Sequence, residues 1–191
     1  MPQGLHLRVG YGEDREVYHL LHGLRLKKAS IVEIIEKSLE KVHHGEAIDV
    51  VIKTSLDDPD VWVDHEQMET AFFDLAQNAV EAMPDGGTLT IMIEGDDQRI
   101  RVSLADTGSG ITDENMMSLL TPFFTTKPAG DGTGLGLAMA YSTFKTHGGS
   151  LSVESNADLR RGATGTIVKI AFPRHRIFQD AKTRIIMHED D

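Results

Sequence analysis

The sequence contains no cysteine, which excludes disulfides, thiolate metal sites and a cysteine nucleophile together. Basic residues are scarce: 19 Lys and Arg stand against 30 Asp and Glu, a formal net charge of -11. So acidic a surface repels nucleic acid and anionic lipid, and neither is expected as a partner. No apolar run approaches the ~20 residues that span a bilayer. The stretch Met1 to Gly12 has neither the apolar run nor the cleavage site of a signal peptide. No repeat or low-complexity tract is visible. These absences predict a soluble cytoplasmic domain without direct membrane contact. What is present fits that expectation: 191 residues, 40% of them hydrophobic, can bury one core with a short appendage. The nine histidines are scattered, and the single pair, His43-His44, reads as a solvated helix end.

Periodicity predicts helix over residues 13–42, broken near Ala29-Ser30, with Ile31, Ile34, Ile35, Leu39 and Val42 at helical spacing. Strands are expected at Ile48 to Thr54 and Val61 to Val63. Asp64, with Gln67 three residues on, predicts a capped helix start. The helix it opens carries Met68, Phe72, Leu75, Ala79 and Ala82 on one face and stops near Met83-Pro84-Asp85-Gly86-Gly87. Further strands are predicted at Thr88 to Glu94, Arg99 to Ala105, Ser150 to Ser155 and Thr164 to Phe172. A helix from Leu135 to His147 is closed by Gly148-Gly149. Between Ile111 and Gly132 lies a long irregular stretch of the kind that is either a functional lid or disordered. The order predicts an α+β fold, a two-layer sandwich.

Three polar clusters stand out. On the helix that Asp64 opens, Asp74, Asn78 and Glu81 fall at i, i+4 and i+7, so they share one face; an asparagine oxygen is a natural ligand for magnesium held by triphosphate. The second, Asp106-Thr107-Gly108-Ser109-Gly110-Ile111, directly follows a strand. Its glycines permit close backbone approach to a ligand, and its aspartate can accept from an exocyclic amine such as that of adenine. The third, Gly132-Thr133-Gly134-Leu135-Gly136-Leu137, runs into a helix whose N-terminal amides can cradle phosphate. It lacks the Gly-Lys-Ser/Thr of a P-loop, and Met139 stands where a dinucleotide-binding turn wants a small residue. Between the last two clusters lies Thr121-Pro122-Phe123-Phe124-Thr125-Thr126-Lys127. Its phenylalanines either anchor the lid to the core or dock a partner, and Lys127 can reach a terminal phosphate.

That order resembles the Bergerat-fold ATPases, a superfamily of gyrase, heat-shock chaperone ATPases, MutL proteins and histidine kinases. Its pieces look like the kinase branch, especially the nitrogen-regulation class. Asp74-Leu-Ala-Gln-Asn78-Ala-Val-Glu81-Ala-Met is similar to the asparagine box, Asp106-Thr-Gly108-Ser-Gly110-Ile to the first glycine box, Pro122-Phe-Phe-Thr-Thr-Lys127 to the phenylalanine box, and Gly132-Thr-Gly134-Leu-Gly136-Leu to the second glycine box. His147-Gly148-Gly149 and Phe172-Pro173 also fit. The resemblance implies the Bergerat sandwich with a mobile ATP lid, ATP and Mg2+ as cofactors, and Asn78 as the metal ligand. It implies that Asp106 reads adenine, that Lys127, Gly132, Thr133, Gly134, Leu135 and Gly136 hold the phosphates, and that Glu81, Gly108 and Gly110 complete the nucleotide contacts. The implied activity is transfer of the γ-phosphoryl group to a histidine, with Asp74, Asn78 and Lys127 as catalytic residues.

The resemblance covers about residues 28–173. Residues 1–27 are expected to be the end of a dimerisation hairpin or a linker helix, and 174–191 a linker or tail. The phosphoacceptor signature is missing: His22-Gly-Leu-Arg-Leu-Lys lacks the family's acid and proline, and His65-Glu66 falls on the nucleotide-site helix. The acceptor is therefore expected on a hairpin outside this chain, with a response-regulator receiver domain as the later partner. Thr183-Arg-Ile-Ile-Met-His-Glu189-Asp190-Asp191 reads either as the start of such a receiver or as an acidic tail. Asp74 stands where the kinases usually carry asparagine. A carboxylate there is the general base in gyrase-like relatives, so an ATP-hydrolysing switch is the alternative reading.

Overall fold

Along Leu89–Glu94 and Ile100–Leu104, apolar side chains alternate with polar or exposed ones, a period of two that makes a sheet with one buried face. The computed structural model describes residues 6–8, 24–127 and 132–174. Its elements run β1 (His6–Arg8), β2 (Lys27–Ser30), α1 (Ile31–Glu40), β3 (Ile48–Thr54), β4 (Asp60–Val63), α2 (His65–Glu81), β5 (Gly87–Gly95), β6 (Arg99–Asp106), α3 (Asp113–Met116), α4 (Gly136–Thr146), β7 (Ser150–Asn156), a 3-10 turn (Leu159–Arg161) and β8 (Gly165–Pro173). Six strands form one sheet in the order β1-β7-β8-β6-β5-β3, and β2 pairs with β4 in a small second sheet.

All pairings are antiparallel except β3 with β5. Parallel neighbours need a long crossover, and here it carries β4 and α2. Helices α1, α2 and α4 pack with one face of the large sheet into a single core. Leu89, Ile91, Ile93, Ile100, Val102, Leu104, Leu151, Val153, Ile170 and Phe172 line that core, while Met92 is exposed on the other face. This is the expected two-layer α+β sandwich. Phe72 of α2 meets Phe144 of α4 edge-on at 5.3 Å, and Phe144 stacks on Phe172 of β8 at 6.3 Å, so three aromatic rings tie the two layers together.

The apolar stripe on α2 is placed as its spacing predicts: Met68, Phe72, Leu75 and Ala79 are buried, with Ala82 half-buried at the C-cap. Asp64 caps the helix, its Oδ1 accepting from Gln67 N–H at 3.3 Å. The reciprocal half of the capping box differs. Gln67 Nε2 turns to the Asp64 carboxylate at 3.4 Å, because the Asp64 N–H already donates to His147 Nε2 at 3.0 Å.

The expected N-terminal helix is shorter than its periodicity suggests. Lys27–Ser30 is strand β2, and α1 starts only at Ile31, where Ser30 Oγ accepts from Glu33 N–H. Pairing to β4 in register Lys27↔Val63 satisfies backbone groups that a helix would otherwise bond internally. The part of that reading on residues 13–23, and the tail beyond Arg174, lie outside the described residues. Sequence patterning also missed β1, which pairs antiparallel to the edge of β7. The irregular stretch after Ile111 holds one short helix, α3, capped by Thr112. Buried Arg174 closes the domain: its guanidinium donates to the carbonyls of Asp96 and Asp58, joining two turns. No helix among the described residues is long and apolar enough to cross a membrane.

Candidate functional site

Helix α2 is the wall to which the other clusters attach. The polar face predicted from its spacing is real but graded: Asp74 is half-buried, while Asn78 and Glu81 are exposed. Beyond its end, Ala82 carries the first glycine cluster. Ser109 N–H donates to the Ala82 carbonyl at 3.0 Å, and a Cβ built on Gly108 would lie 2.4 Å from the same oxygen. Only glycine permits that approach.

Asp106 ends β6 opposite Thr166 of β8. Its Oδ1 accepts from Gly108 N–H at 2.9 Å and from Thr166 N–H at 3.1 Å. Burial raises its proton affinity above the ordinary aspartate value, and those two amides oppose the rise. Both bonds fall on one oxygen, which leaves Oδ2 for a donor on a ligand. Thr166 in turn is held by Ser155 Oγ at 2.9 Å, and Ser155 also accepts from Ile111 N–H at 2.8 Å. Thr107 Oγ1 accepts from Thr88 N–H at 3.0 Å and donates weakly to Met83 Sδ. This supporting shell was not visible in the motifs. Its one available signal was the β6–β8 register, which places Thr166 across from Asp106.

The phenylalanine segment and the second glycine cluster interlock. Phe123 N–H donates to the Gly134 carbonyl at 2.9 Å, and a Cβ at Gly134, whose φ is 65°, would meet the Phe123 carbonyl carbon at 2.4 Å. Phe123 itself holds φ 68°, a left-handed conformation that costs an L residue about 1–2 kcal/mol. Its ring is 73% exposed, so it is not a core anchor. Phe124 is half-buried. Gly136 opens α4 against α2, its Cβ position 3.4 Å from Asp74 Cγ. No side chain caps that helix start, so its first amides remain available to an anion.

Lys127 reaches α2 directly. Its ammonium lies 3.2 Å from Asn78 Oδ1 and pairs with Glu81 Oε2. Gln77, absent from the sequence expectation, holds the other Glu81 oxygen at 2.8 Å; its i, i+4 spacing was the available signal. Asp74 lines a groove of about 250 Å³ between α2 and α4, together with Ala71, Met139, Ala140 and Thr143. Burial raises its proton affinity too. That groove does not include exposed Asn78 or half-buried Asp106. Thus the structure joins the asparagine helix to the first glycine turn, to Lys127 and to Gly136. Among the described residues no hydrogen bond runs from Asp106 to the 132–136 loop. No group of three or more acidic, histidine or cysteine side chains among the described residues can hold a metal ion. His43 and His44 are exposed, past the end of α1, as expected.

A four-part site on a one-sided mixed sheet, with glycines at each close approach, defines a class of nucleotide-binding ATPase. The profile of the histidine kinase-, DNA gyrase B- and HSP90-like ATPase family matches residues 63–176, and the chain belongs to that family. Among curated relatives it is 36% identical to sporulation kinase A of Bacillus subtilis, over 65% of this chain and 20% of that protein. The mycobacterial sensor histidine kinase MprB superposes with a TM-score of 0.68 at 26% identity, covering 80% of this chain and 99% of the solved one. The catalytic domain of histidine kinase ThkA superposes at 0.67 with 28% identity, covering 79% and 97%. Within the family, then, the chain is an ATP-binding catalytic module of the histidine-kinase type. It spans only 16–29% of the length of the first three curated relatives.

Proposed function

We propose that this module binds ATP with magnesium against α2 and directs the γ-phosphoryl group to a histidine on a helical hairpin outside the chain. When bound, ATP would supply the phosphoryl group and magnesium would neutralise its charge. Asp106 Oδ2 accepts from the adenine amine, and Gly108 and Gly110 let the backbone approach the base. Asn78 Oδ1 would hold the cation, and Glu81 lies one turn further along the same face of α2. Lys127, Gly132, Thr133, Gly134, Leu135 and Gly136, with the uncapped amides of α4, hold the phosphates. Catalysis then consists of positioning and charge neutralisation. Exposed Phe123 faces outward to couple the phosphate segment to the hairpin.

The observation that carries this reading is the convergence of the two glycine clusters and the phenylalanine segment on α2 and its C-cap. The donor set also fits: oxygen ligands for a hard cation, an acceptor for an amine, and glycines where a Cβ would collide. Histidine kinase ThkA has also been solved in complex with response regulator protein TrrA, which supports a receiver domain as the downstream partner. Asp74 supports a second reading. Its half-buried carboxylate, with proton affinity raised by burial, is placed beside the start of α4, where it could activate water as a gyrase-like base.

The experiment is label transfer. With γ-labelled ATP, magnesium and a sensor-kinase acceptor hairpin fused ahead of the domain, label is expected on the hairpin histidine. It should be acid-labile and alkali-stable, and absent when that histidine is replaced. Label recovered only as free phosphate would overturn the proposal.

A further inference from the structure

Glu81 has both carboxylate oxygens engaged, Oε1 by Gln77 Nε2 and Oε2 by the Lys127 ammonium. The same ammonium reaches Asn78 Oδ1. A positive charge therefore sits between an amide oxygen and a carboxylate three residues apart on one helix face. Under the nucleotide reading above, on which this inference rests, Asn78 Oδ1 is also the oxygen that ligates magnesium. Two cations cannot share it without strong repulsion.

We infer that Lys127 is a stand-in cation. Its ion pair with Glu81 pins the segment Thr121–Lys127 to α2, the arriving metal–nucleotide pair displaces it, and the freed ammonium turns to the phosphates. Glu81 is the positioning residue of this latch, and Gln77 fixes its orientation. Toward its other end the segment is held by the Phe123–Gly134 backbone bond, so releasing Lys127 frees one end and leaves the other attached. The pair is one-third exposed on each side. It is thus weak enough for a ligand to break and sensitive to salt.

The test compares wild type, Glu81→Gln, Lys127→Met and the double variant by two readouts. The first is hydrogen exchange of amides 121–127 in protein without nucleotide. Each single variant is expected to exchange about two- to fivefold faster than wild type, and the double variant no faster than either, because one interaction is lost in all three. The second is the magnesium concentration giving half-maximal binding of a fluorescent ATP analogue. Glu81→Gln is expected to lower it by a similar factor of about two to five, since the competing latch is gone while Lys127 still serves the phosphates. Unchanged exchange in Glu81→Gln, or a magnesium requirement that rises, would overturn the latch; the latter would make Glu81 a metal ligand instead. Failure of wild type to bind the analogue at any magnesium concentration defeats the nucleotide reading separately, and the exchange comparison still decides whether the latch exists.

Discussion

Replacing Asp106 with asparagine is expected to weaken ATP binding about 30- to 150-fold while leaving the fold as stable as before. The side chain keeps its size, and an amide oxygen can accept from Gly108 N–H and Thr166 N–H as the carboxylate does. The amide nitrogen then points at the ligand, where it meets the adenine amine donor to donor. Flipping the amide only moves the collision to the two backbone N–H groups. An unmatched buried donor costs about 2–3 kcal/mol, which converts to the stated loss. Since burial already disfavours the Asp106 charge, its removal spares the protein a desolvation penalty. The same change should narrow the preference for ATP over GTP, because the new amide can donate to the guanine carbonyl. Calorimetric titration with both nucleotides, alongside chemical denaturation, checks each part. An affinity unchanged within twofold would remove Asp106 from the base-reading role.

His147→Ala is expected to cost about 2–4 kcal/mol of stability without altering any residue of the nucleotide site. The imidazole is buried at the end of α4 and bonds in two directions: Nδ1–H donates to the Thr143 carbonyl at 2.7 Å, and Nε2 accepts from Asp64 N–H at 3.0 Å. Asp64 in turn caps α2 and accepts from Arg25 N–H at 2.9 Å. One neutral ring thus fixes the end of α4 to the start of α2. Burial lowers its pKa, opposed by the Thr143 carbonyl and the Asp64 charge. The unfolded chain therefore takes up this proton first, at its ordinary value of about 6.5. The contribution of His147 is complete above that pH and is lost as pH falls below it towards the lowered folded value. Denaturation curves at pH 7.5 and 5.5 should show the gap between wild type and His147→Ala narrowing in acid; a gap that widens would contradict the neutral, two-bond ring.

Much of this fold could be read from period and punctuation. Strand alternation gave β5, β6, β7 and β8 to within a residue or two, and the Asp64 cap marked the start of α2. The failures have local causes. Lys27–Ser30 falls inside the span expected as helix but is taken by β4, a partner about thirty residues away that no local spacing reveals. Strand β1 is too short to show periodicity. The four boxes of the site were legible because glycine, asparagine and aspartate stand where few other residues could. Their supports were not: Thr166 and Ser155 act through sheet register, and Gln77 through a helix pair that resembles any solvated one. The Lys127–Glu81 pairing needed three dimensions, since 46 residues separate its partners.

The central claim is that this site delivers phosphoryl groups to a histidine and does not itself hydrolyse ATP. Phosphate release from magnesium-ATP by the module, with Asp74→Ala and the binding-defective Asn78→Ala beside it, tests that claim most directly. The account predicts that wild type binds ATP yet releases only traces of phosphate, that Asp74→Ala binds and releases the same, and that Asn78→Ala binds little. Steady release by wild type, falling about 100-fold or more in Asp74→Ala as loss of a general base requires, would contradict it and make the module an ATP-hydrolysing switch.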